Sequence, residues 1–176
     1  MSAASTSAVK VYGSGWTGPG QCSPARTGSA GQAPDTAPRS MPRCLGHFNL
    51  DRHIKALRDP TRGGLATAIN EICRASGTGA LLTEAAIPIR RPVEAACEIL
   101  GVDPLYRANE GKLIAIVAAE DADRTLRALR AHPLGCDAAI IGKIVEDPDG
   151  FVQMETPIGG RRMVDWLVGD PLPRIC

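Results

Sequence analysis

The chain ends in a cysteine, Cys176, which follows a stretch with two prolines, the DPLPRI of residues 170–175. Each proline fixes φ and resists folding back into a helix or a sheet, so this stretch is stiff and extended. Extended backbone from Asp165 to Cys176 spans roughly 35 Å at about 3.3 Å per residue. The pattern predicts a carrier arm, residues 166–176, that delivers a thiol to a distant site. The alternative is a terminal cysteine without a function.

A second candidate site is the DPTRGG motif of residues 59–64, which Arg58 precedes. Pro60 favours extended backbone at Asp59, and the two glycines permit a tight turn into a helix. Unpaired N–H groups at a helix start attract anions, and the side chains of Arg58 and Arg62 would add positive charge. The motif therefore indicates an anion-binding loop, with a capped helix entrance and two solvated arginines as the alternative.

The NEGK motif of residues 109–112 precedes the most apolar stretch of the chain, KLIAIVA. A carboxylate at the mouth of a strand, beside a lysine and a flexible glycine, can act as a general base if its pKa is tuned. Glu110 is thus the candidate base, and Lys112 is the candidate that orients it or a phosphate oxygen. A turn with an exposed ion pair is an equally good interpretation of the spacing.

Composition excludes several classes of function. The formal charge of +1 gives no electrostatic footprint for nucleic acid or an anionic membrane. No run of eighteen apolar residues predicts a membrane span, and the N-terminal residues lack the pattern of a secretory signal, so we expect a cytoplasmic protein. The six cysteines form no CxxC pair, and we expect no metal site.

The chain divides by composition near residue 46. Residues 1–46 are rich in Ser, Gly, Pro, Ala and Thr and carry four basic residues against Asp35 alone. Such a segment cannot bury enough apolar surface to offset the entropy of ordering, so we predict a low-complexity, disordered head. Residues 47–165 read as one folded domain, and residues 166–176 as its flexible tail.

Periodicity within the folded domain predicts alternating helices and strands. Helices are expected over residues 64–75, from Pro92 to Gly101 with Val93, Ala96 and Leu100 facing inward, and over residues 120–130. Strands are expected over residues 80–83, 112–118, 138–145 and 151–155, the last two as an antiparallel pair joined by the turn at 147–150. The prediction is an α+β fold, with a mixed β-sheet covered by helices.

Six motifs occur in a fixed order: DPTRGG at 59–64, IPI at 87–89, GVDPL at 101–105, NEGK at 109–112, HPLG at 132–135 and PRIC at 173–176. In this order they closely resemble the C-terminal half of the HypE family of hydrogenase maturation proteins, within the aminoimidazole ribonucleotide synthetase superfamily. The resemblance covers residues 47–176. DPTRGG is shared with other members of the superfamily, whereas the PRIC ending is specific to this family.

The resemblance implies an ATP-dependent carbamoyl dehydratase. The terminal thiol, here Cys176, accepts a carbamoyl group from the carbamoyltransferase HypF, and ATP is used to dehydrate it to a thiocyanate. The cyano group then passes to the HypC–HypD complex and becomes a cyanide ligand of nickel–iron hydrogenase. Glu110 would be the base and Lys112 its helper. The implied cofactors are ATP and magnesium, with the cofactor-binding residues Arg58, Asp59, Thr61, Arg62, Gly63 and Gly64.

The chain departs from the family's pattern in its N-terminal part. Family members carry an N-terminal domain that supplies the acidic and glycine-rich residues for ATP and magnesium and forms a homodimer. The head of residues 1–46 supplies neither kind of residue, so we expect a truncated protein that does not dehydrate the carbamoyl group by itself. The alternatives are a non-catalytic module that docks hydrogenase-maturation partners, and another superfamily enzyme of selenophosphate or thiamine-phosphate type, which the PRIC ending disfavours.

Overall fold

The computed structural model describes the backbone of residues 7–13 and all atoms of residues 54–109 and 111–166. These residues form seven strands and three α-helices. The strands are β1 (Ser7–Gly13), β2 (Ile54–Arg58), β3 (Gly79–Thr83), β4 (Lys112–Ala118), β5 (Ala139–Val145), β6 (Val152–Glu155) and β7 (Arg161–Met163). The helices are α1 (Gly64–Ser76), α2 (Arg91–Leu100) and α3 (Ala122–Arg130).

The strands form one sheet in the order β2-β4-β1-β5-β3-β6-β7. Neighbouring strands are antiparallel except β3 and β6, which are parallel. The predicted α+β class with a mixed sheet is therefore confirmed. The helix over residues 64–75, the helix that ends at Gly101 and the strand over residues 112–118 are confirmed as well.

The two faces of the sheet are covered by different helices. On one face α1 packs its apolar side against the main core, whose largest fully buried side chains are Ile69, Leu82, Ile114, Ile141 and Met154. On the other face α3 covers a smaller cluster of Leu129, Ala138, Leu113 and Leu126. Successive side chains of a strand point to opposite faces, so a strand buried on both sides needs a continuous apolar run. The sequence of β4 meets that requirement.

Strand β1 lies at the centre of the sheet, where it pairs along its whole length with β4, from Ser7 opposite Ala118 to Gly13 opposite Lys112. Here the structure differs from the expectation that residues 1–46 contribute no regular structure. Val9 and Val11 alternate with Lys10, which is a short strand pattern. Two flanking strands satisfy its backbone groups, which local composition cannot reveal. The remainder of the predicted head lies outside the described residues.

Strands β5 and β6 do not form the predicted hairpin. They run in opposite directions as expected, but β3 lies between them and pairs with both. The connecting turn crosses the start of β3 at Gly79, where the N–H of Ala80 donates a hydrogen bond to the carbonyl of Phe151 (3.0 Å). A Cβ at Gly79 would lie 2.7 Å from both Cβ of Asp147 and O of Phe151. The absent side chain is what allows the crossing.

The apolar stripe of α2 does not face inward, as its periodicity suggested. Val93 is 47% exposed and Leu100 is 63% exposed, and Ala96 is exposed too. Cys97 is the one buried residue of this helix. The spacing of apolar residues predicts that a helix has an apolar side. Whether another part of the protein covers that side depends on the tertiary contacts. Within the described residues, this stripe is uncovered.

No helix of the described part of the chain combines the length and the apolarity needed to cross a membrane.

Gly79→Ala is expected to lower the free energy of unfolding by about 1–3 kcal/mol, because the new methyl group must displace backbone of the crossing turn. Chemical denaturation of the full chain measures this change. Gly160→Ala is the matched control, since its Cβ would meet the side-chain hydroxyl of Thr156 at 3.2 Å. Equal losses in the two variants would refute the role given to Gly79.

Candidate active site

The DPTRGG loop leads from β2 into α1 through two glycines with left-handed backbone. Gly63 has φ 69° and Gly64 has φ 63°, a region that residues with a side chain rarely adopt. Gly63 is the N-cap residue of α1, no side chain caps the helix start, and the first turn holds no acidic residue. The N–H groups of this turn therefore have no side-chain acceptor among the described residues, and such groups bind anions.

The segment of residues 105–107 lies directly on Gly64. A Cβ at this position would be 2.4 Å from the carbonyl oxygen of Leu105 and 2.6 Å from that of Arg107. The short turn Pro104–Tyr106 is held by Asp103, whose carboxylate accepts a hydrogen bond from the N–H of Leu105 (2.8 Å). Only glycine permits this approach of backbone to the helix start.

A backbone hydrogen bond joins the two motifs that the sequence singled out. The N–H of Asn109 donates to the carbonyl of Pro60 at 2.9 Å. Glu110 follows Asn109 directly and lies outside the described residues, as does Cys176. The structure therefore brings Asn109, the first residue of the NEGK motif, to the DPTRGG loop, although the two motifs are about 50 residues apart in sequence.

Two buried side-chain atoms have no hydrogen-bond partner among the described residues: Oγ1 of Thr67 and Nε of Arg107. Thr67 lies against Gly63, where an added Cβ would be 2.1 Å from its hydroxyl oxygen, and the carbonyl of Arg107 lies against Gly64. Buried polar atoms nearly always have a partner, which can be a water or a bound ligand. The hydroxyl of Thr67, beside the helix start, suits an anionic ligand such as a phosphate.

The remaining predicted cofactor-binding residues surround this loop. Asp59, Thr61 and Arg62 are exposed. Arg58 forms an ion pair with Glu71 of α1, so its charge is shared with the helix. The positive charge left for an anion at this loop therefore comes first from Arg62.

Lys112 lies in a different environment from the glycine loop. Burial lowers the pKa of Lys112, the nearby Arg90 lowers it further, and Asp137 opposes both effects. Arg90 and Asp137 also form an ion pair with each other at 3.5 Å. The described contacts place Lys112 beside these two groups, at the start of β4.

The backbone just before the predicted tail is fixed next to the same loop. Asn70 of α1 is buried, and its amide donates hydrogen bonds to the carbonyls of Ala66 (2.9 Å) and Val164 (2.8 Å). The hydroxyl of Tyr106 shares a hydrogen bond with the backbone of Asp165. Sequence reasoning missed Asn70, whose one signal was a polar residue on the apolar side of a predicted helix.

Arg162 on β7 makes a second tie between the end of the domain and the turn that covers Gly64. Its guanidinium lies 2.9 Å from a carboxylate oxygen of Asp103 and 3.8 Å from one of Glu84. Asp103 thus caps the turn with one oxygen and holds β7 with the other. The sequence had marked Asp103 only as part of the GVDPL motif.

A divalent cation does not fit the described part of the site. Magnesium requires several oxygen ligands, and no group of three or more His, Cys, Asp or Glu side chains within residues 54–109 and 111–166 is arranged to hold a metal. A phosphoryl oxygen is the kind of acceptor that unpaired N–H groups in the first turn of a helix bind.

The domain that carries this site matches a known protein family. The profile described as "AIR synthase related protein, C-terminal domain" matches residues 5–155. The chain belongs to this family. The match starts before β1, which agrees with the place of that strand at the centre of the sheet. The candidate site therefore lies within an AIR synthase-related domain.

The chain is also similar to individual members of the superfamily. It is 67% identical over 123 residues to the carbamoyl dehydratase HypE of Azotobacter vinelandii, which covers 70% of this chain and 36% of the relative. A crystal structure of hydrogenase maturation protein HypE in complex with ATP matches with a TM-score of 0.67 and 43% identity, covering 73% of this chain and 41% of that one. A HypE–HypF complex matches with a TM-score of 0.64 and 37% identity, covering 70% and 39%.

These comparisons confirm the resemblance to HypE that the motifs predicted. The chain spans roughly a third of the length of the Azotobacter vinelandii relative. The ATP complex supports ATP binding in the family, and HypF is the partner of the HypE protein in the solved complex.

Gly64→Ala is expected to destabilise the chain by roughly 2–4 kcal/mol, because the methyl group meets two carbonyl oxygens in a backbone conformation that alanine disfavours. Gly101→Ala is the matched control: Gly101 has φ 64° and nothing within 4 Å of its Cβ position. It should lose only about 1 kcal/mol through backbone strain. Urea denaturation measures both values, and a loss at Gly64 no larger than that at Gly101 would refute the contact.

Lys112→Met is expected to flatten the dependence of stability on alkaline pH. The folded pKa of Lys112 lies below its usual 10.5, so the unfolded chain holds more protons between these two values. The free energy of unfolding of the wild type therefore rises with pH in that window. Denaturation midpoints from pH 7 to about 10.5 measure the slope, with Lys55→Met at an exposed position as the control. An unchanged slope in Lys112→Met would contradict this prediction.

Proposed function

We propose that this chain acts in the maturation of nickel–iron hydrogenase as the part of a HypE-type carbamoyl dehydratase that bears the carrier arm. Cys176 carries the carbamoyl group, which is dehydrated with ATP to a thiocyanate, the source of a cyanide ligand. One observation carries the proposal: the DPTRGG loop, the residues before Glu110 and the start of the tail meet around the first turns of α1.

The reach of the tail supports this assignment. Asn70 binds Val164, and Asn70 lies six residues beyond Gly64 along α1, which is about 9 Å of helix. The ten steps along the backbone from Trp166 to Cys176 span roughly 33 Å when extended. An arm of that length, starting so close to the glycine loop, can bring its thiol to the loop and also carry it well away from the domain.

The proposed chemistry assigns a task to each candidate residue. The thiolate of Cys176 attacks the carbonyl carbon of the carbamoyl donor and displaces the donor's leaving group. Arg174 favours the thiolate, and the terminal carboxylate opposes it. The unpaired backbone N–H groups at the start of α1 would hold phosphoryl oxygens, with Gly63 and Gly64 shaping the loop and Arg62 adding charge. ATP, when bound, supplies the phosphoryl group that removes the amide oxygen.

Glu110 is the proposed base. Loss of the oxygen leaves a nitrile only if both protons leave the amide nitrogen, so a base must lie beside it. Asn109, which precedes Glu110 in the sequence, donates a hydrogen bond to the DPTRGG loop, and this contact supports the proposal. We assign Lys112 a helper role, because a lysine whose pKa is lowered can orient a carboxylate or a phosphate oxygen and exchange a proton.

The partners follow from the same proposal. HypF would load Cys176, since a HypE protein similar to this chain is solved in complex with HypF. The HypC–HypD complex would receive the cyano group. The magnesium ligands, and the homodimer of the family, would come from outside the described residues. The reaction would take place in the cytoplasm.

A second candidate function is a non-catalytic module that docks maturation partners. The exposed apolar residues of α2 favour it, because Val93, Ile99 and Leu100 are 47%, 86% and 63% exposed. A helix side of this kind is typical of a surface that another protein covers.

The chain, mixed with HypF, carbamoyl phosphate and ATP, is expected to gain the mass of one carbamoyl group on its C-terminal peptide. Cys176→Ser should abolish this adduct, because a hydroxyl is a far weaker nucleophile than a thiolate. With the family's ATP-binding half supplied as a separate chain, Glu110→Gln should keep the adduct but slow its dehydration by about 10²–10⁴-fold, which is the usual worth of a general base. Peptide mass spectrometry follows both steps.

Cys136→Ser is the matched control, since Cys136 is a half-buried cysteine of the folded domain that forms no disulfide within the described residues. It should load as well as the wild type. A wild-type chain that is never loaded, but still binds HypF, would refute the carrier role and favour the docking module. A Glu110→Gln variant that dehydrates at the wild-type rate would refute only the assignment of the base.

A further inference from the structure

A groove of about 330 Å³ runs between α2 and the segments on either side of it. Its apolar lining includes Ile89, Leu105 and Met154, and Met154 is fully buried. Pro104 and Leu105 of the Pro104–Tyr106 turn line the groove, and nothing in the proposed reaction uses it. Its size and lining suit a short stretch of extended peptide with apolar side chains.

Two carboxylates line the groove without an ion-pair partner among the described residues. Glu94 and Glu98 lie one turn apart on α2, and neither forms an ion pair within the described residues. The other two carboxylates, Glu84 and Asp103, already share Arg162. Like charges at positions i and i+4 of a helix repel each other, so a cation placed between Glu94 and Glu98 would be favourable.

The chain's own tail has the matching chemistry. Residues 171–175 are Pro-Leu-Pro-Arg-Ile, in which Leu172 and Ile175 flank the single cation Arg174. An extended segment of this kind places apolar side chains against a groove and leaves a guanidinium for carboxylates, and its prolines reduce the entropy lost on docking.

The start of the tail lies at the same place. Arg162 lines the groove, and Asp165 is bound at Tyr106, beside Asp103 of the groove wall. Arg174 is eight residues beyond Trp166, a reach of roughly 26 Å. Gly169 precedes Asp170 and Pro171, which is a turn sequence that lets the chain reverse toward α2.

We propose that this groove is a docking site for residues 171–176 of the same chain, with Arg174 bound between Glu94 and Glu98. The groove then holds the arm at rest, with Cys176 near the domain surface and away from the glycine loop. The inference takes the carrier role of the tail from the proposed function. The docking itself involves no carbamoyl chemistry, so the two can fail separately.

Amide NMR spectra of the full 176-residue chain test the docking. Arg174→Gln is expected to shift the amide signals of residues 94–103 and to reduce the docked population about two- to five-fold, as loss of an exposed ion pair does. Arg174→Lys should retain most of the docking. Arg161→Gln is the matched control, because it removes an exposed arginine of β7 that has no ion pair in the described residues.

Charge reversal gives the sharper test. Glu98→Arg should release the tail, and adding Arg174→Glu to it should restore the signals of residues 94–103 toward their wild-type positions. Groove signals that are the same in wild type, Arg174→Gln and Arg161→Gln would overturn the proposal. Signals that change with protein concentration would also overturn it, since the occupant would then be a second copy. Loss of carbamoyl transfer with intact docking would overturn only the proposed function.

Discussion

The absence of a side chain at Gly64 is the constraint on which the site depends. Because no Cβ is present, the carbonyls of Leu105 and Arg107 can lie on the first turn of α1. This contact brings the segment of residues 105–109 to the DPTRGG loop, and the hydrogen bond from Asn109 to Pro60 completes the junction. A methyl group at this one position would separate two motifs that the proposed chemistry needs together.

Strand β4 connects this junction to the rest of the sheet and to the core. It begins at Lys112, the last residue of the NEGK motif. It pairs on one edge with β2, which leads into the DPTRGG loop, and on the other edge with β1. Its side chains alternate between the core under α1 and the smaller cluster under α3. A strand buried on both faces cannot shift its register without exposing apolar side chains, so the two motifs at its mouth are held firmly.

Asp103 and Asn70 connect this junction to the C-terminal end of the domain. Asp103 caps the turn over Gly64 and holds Arg162 of β7, while Asn70 holds the carbonyl of Val164. The last described residues are thereby fixed beside the loop that would use the tail. The uncovered rim of α2 lies next to these contacts, and the proposed docking of Arg174 there would give the arm a second fixed position.

The sequence determined the local elements and the family. Periodicity predicted α1, the end of α2 at Gly101 and all of β4, because these signals arise from neighbouring residues of one element. The order of the motifs predicted the resemblance to HypE. The resemblance in turn assigns Glu110 as the base and Cys176 as the carbamoyl carrier, and both roles stay predictions. The tertiary structure alone decided which elements meet. It placed β1 between β4 and β5, inserted β3 between β5 and β6, left the apolar stripe of α2 exposed and joined Asn70 to Val164. These outcomes depend on contacts between residues far apart in the chain, and a local pattern contains no information about which distant surface will cover it.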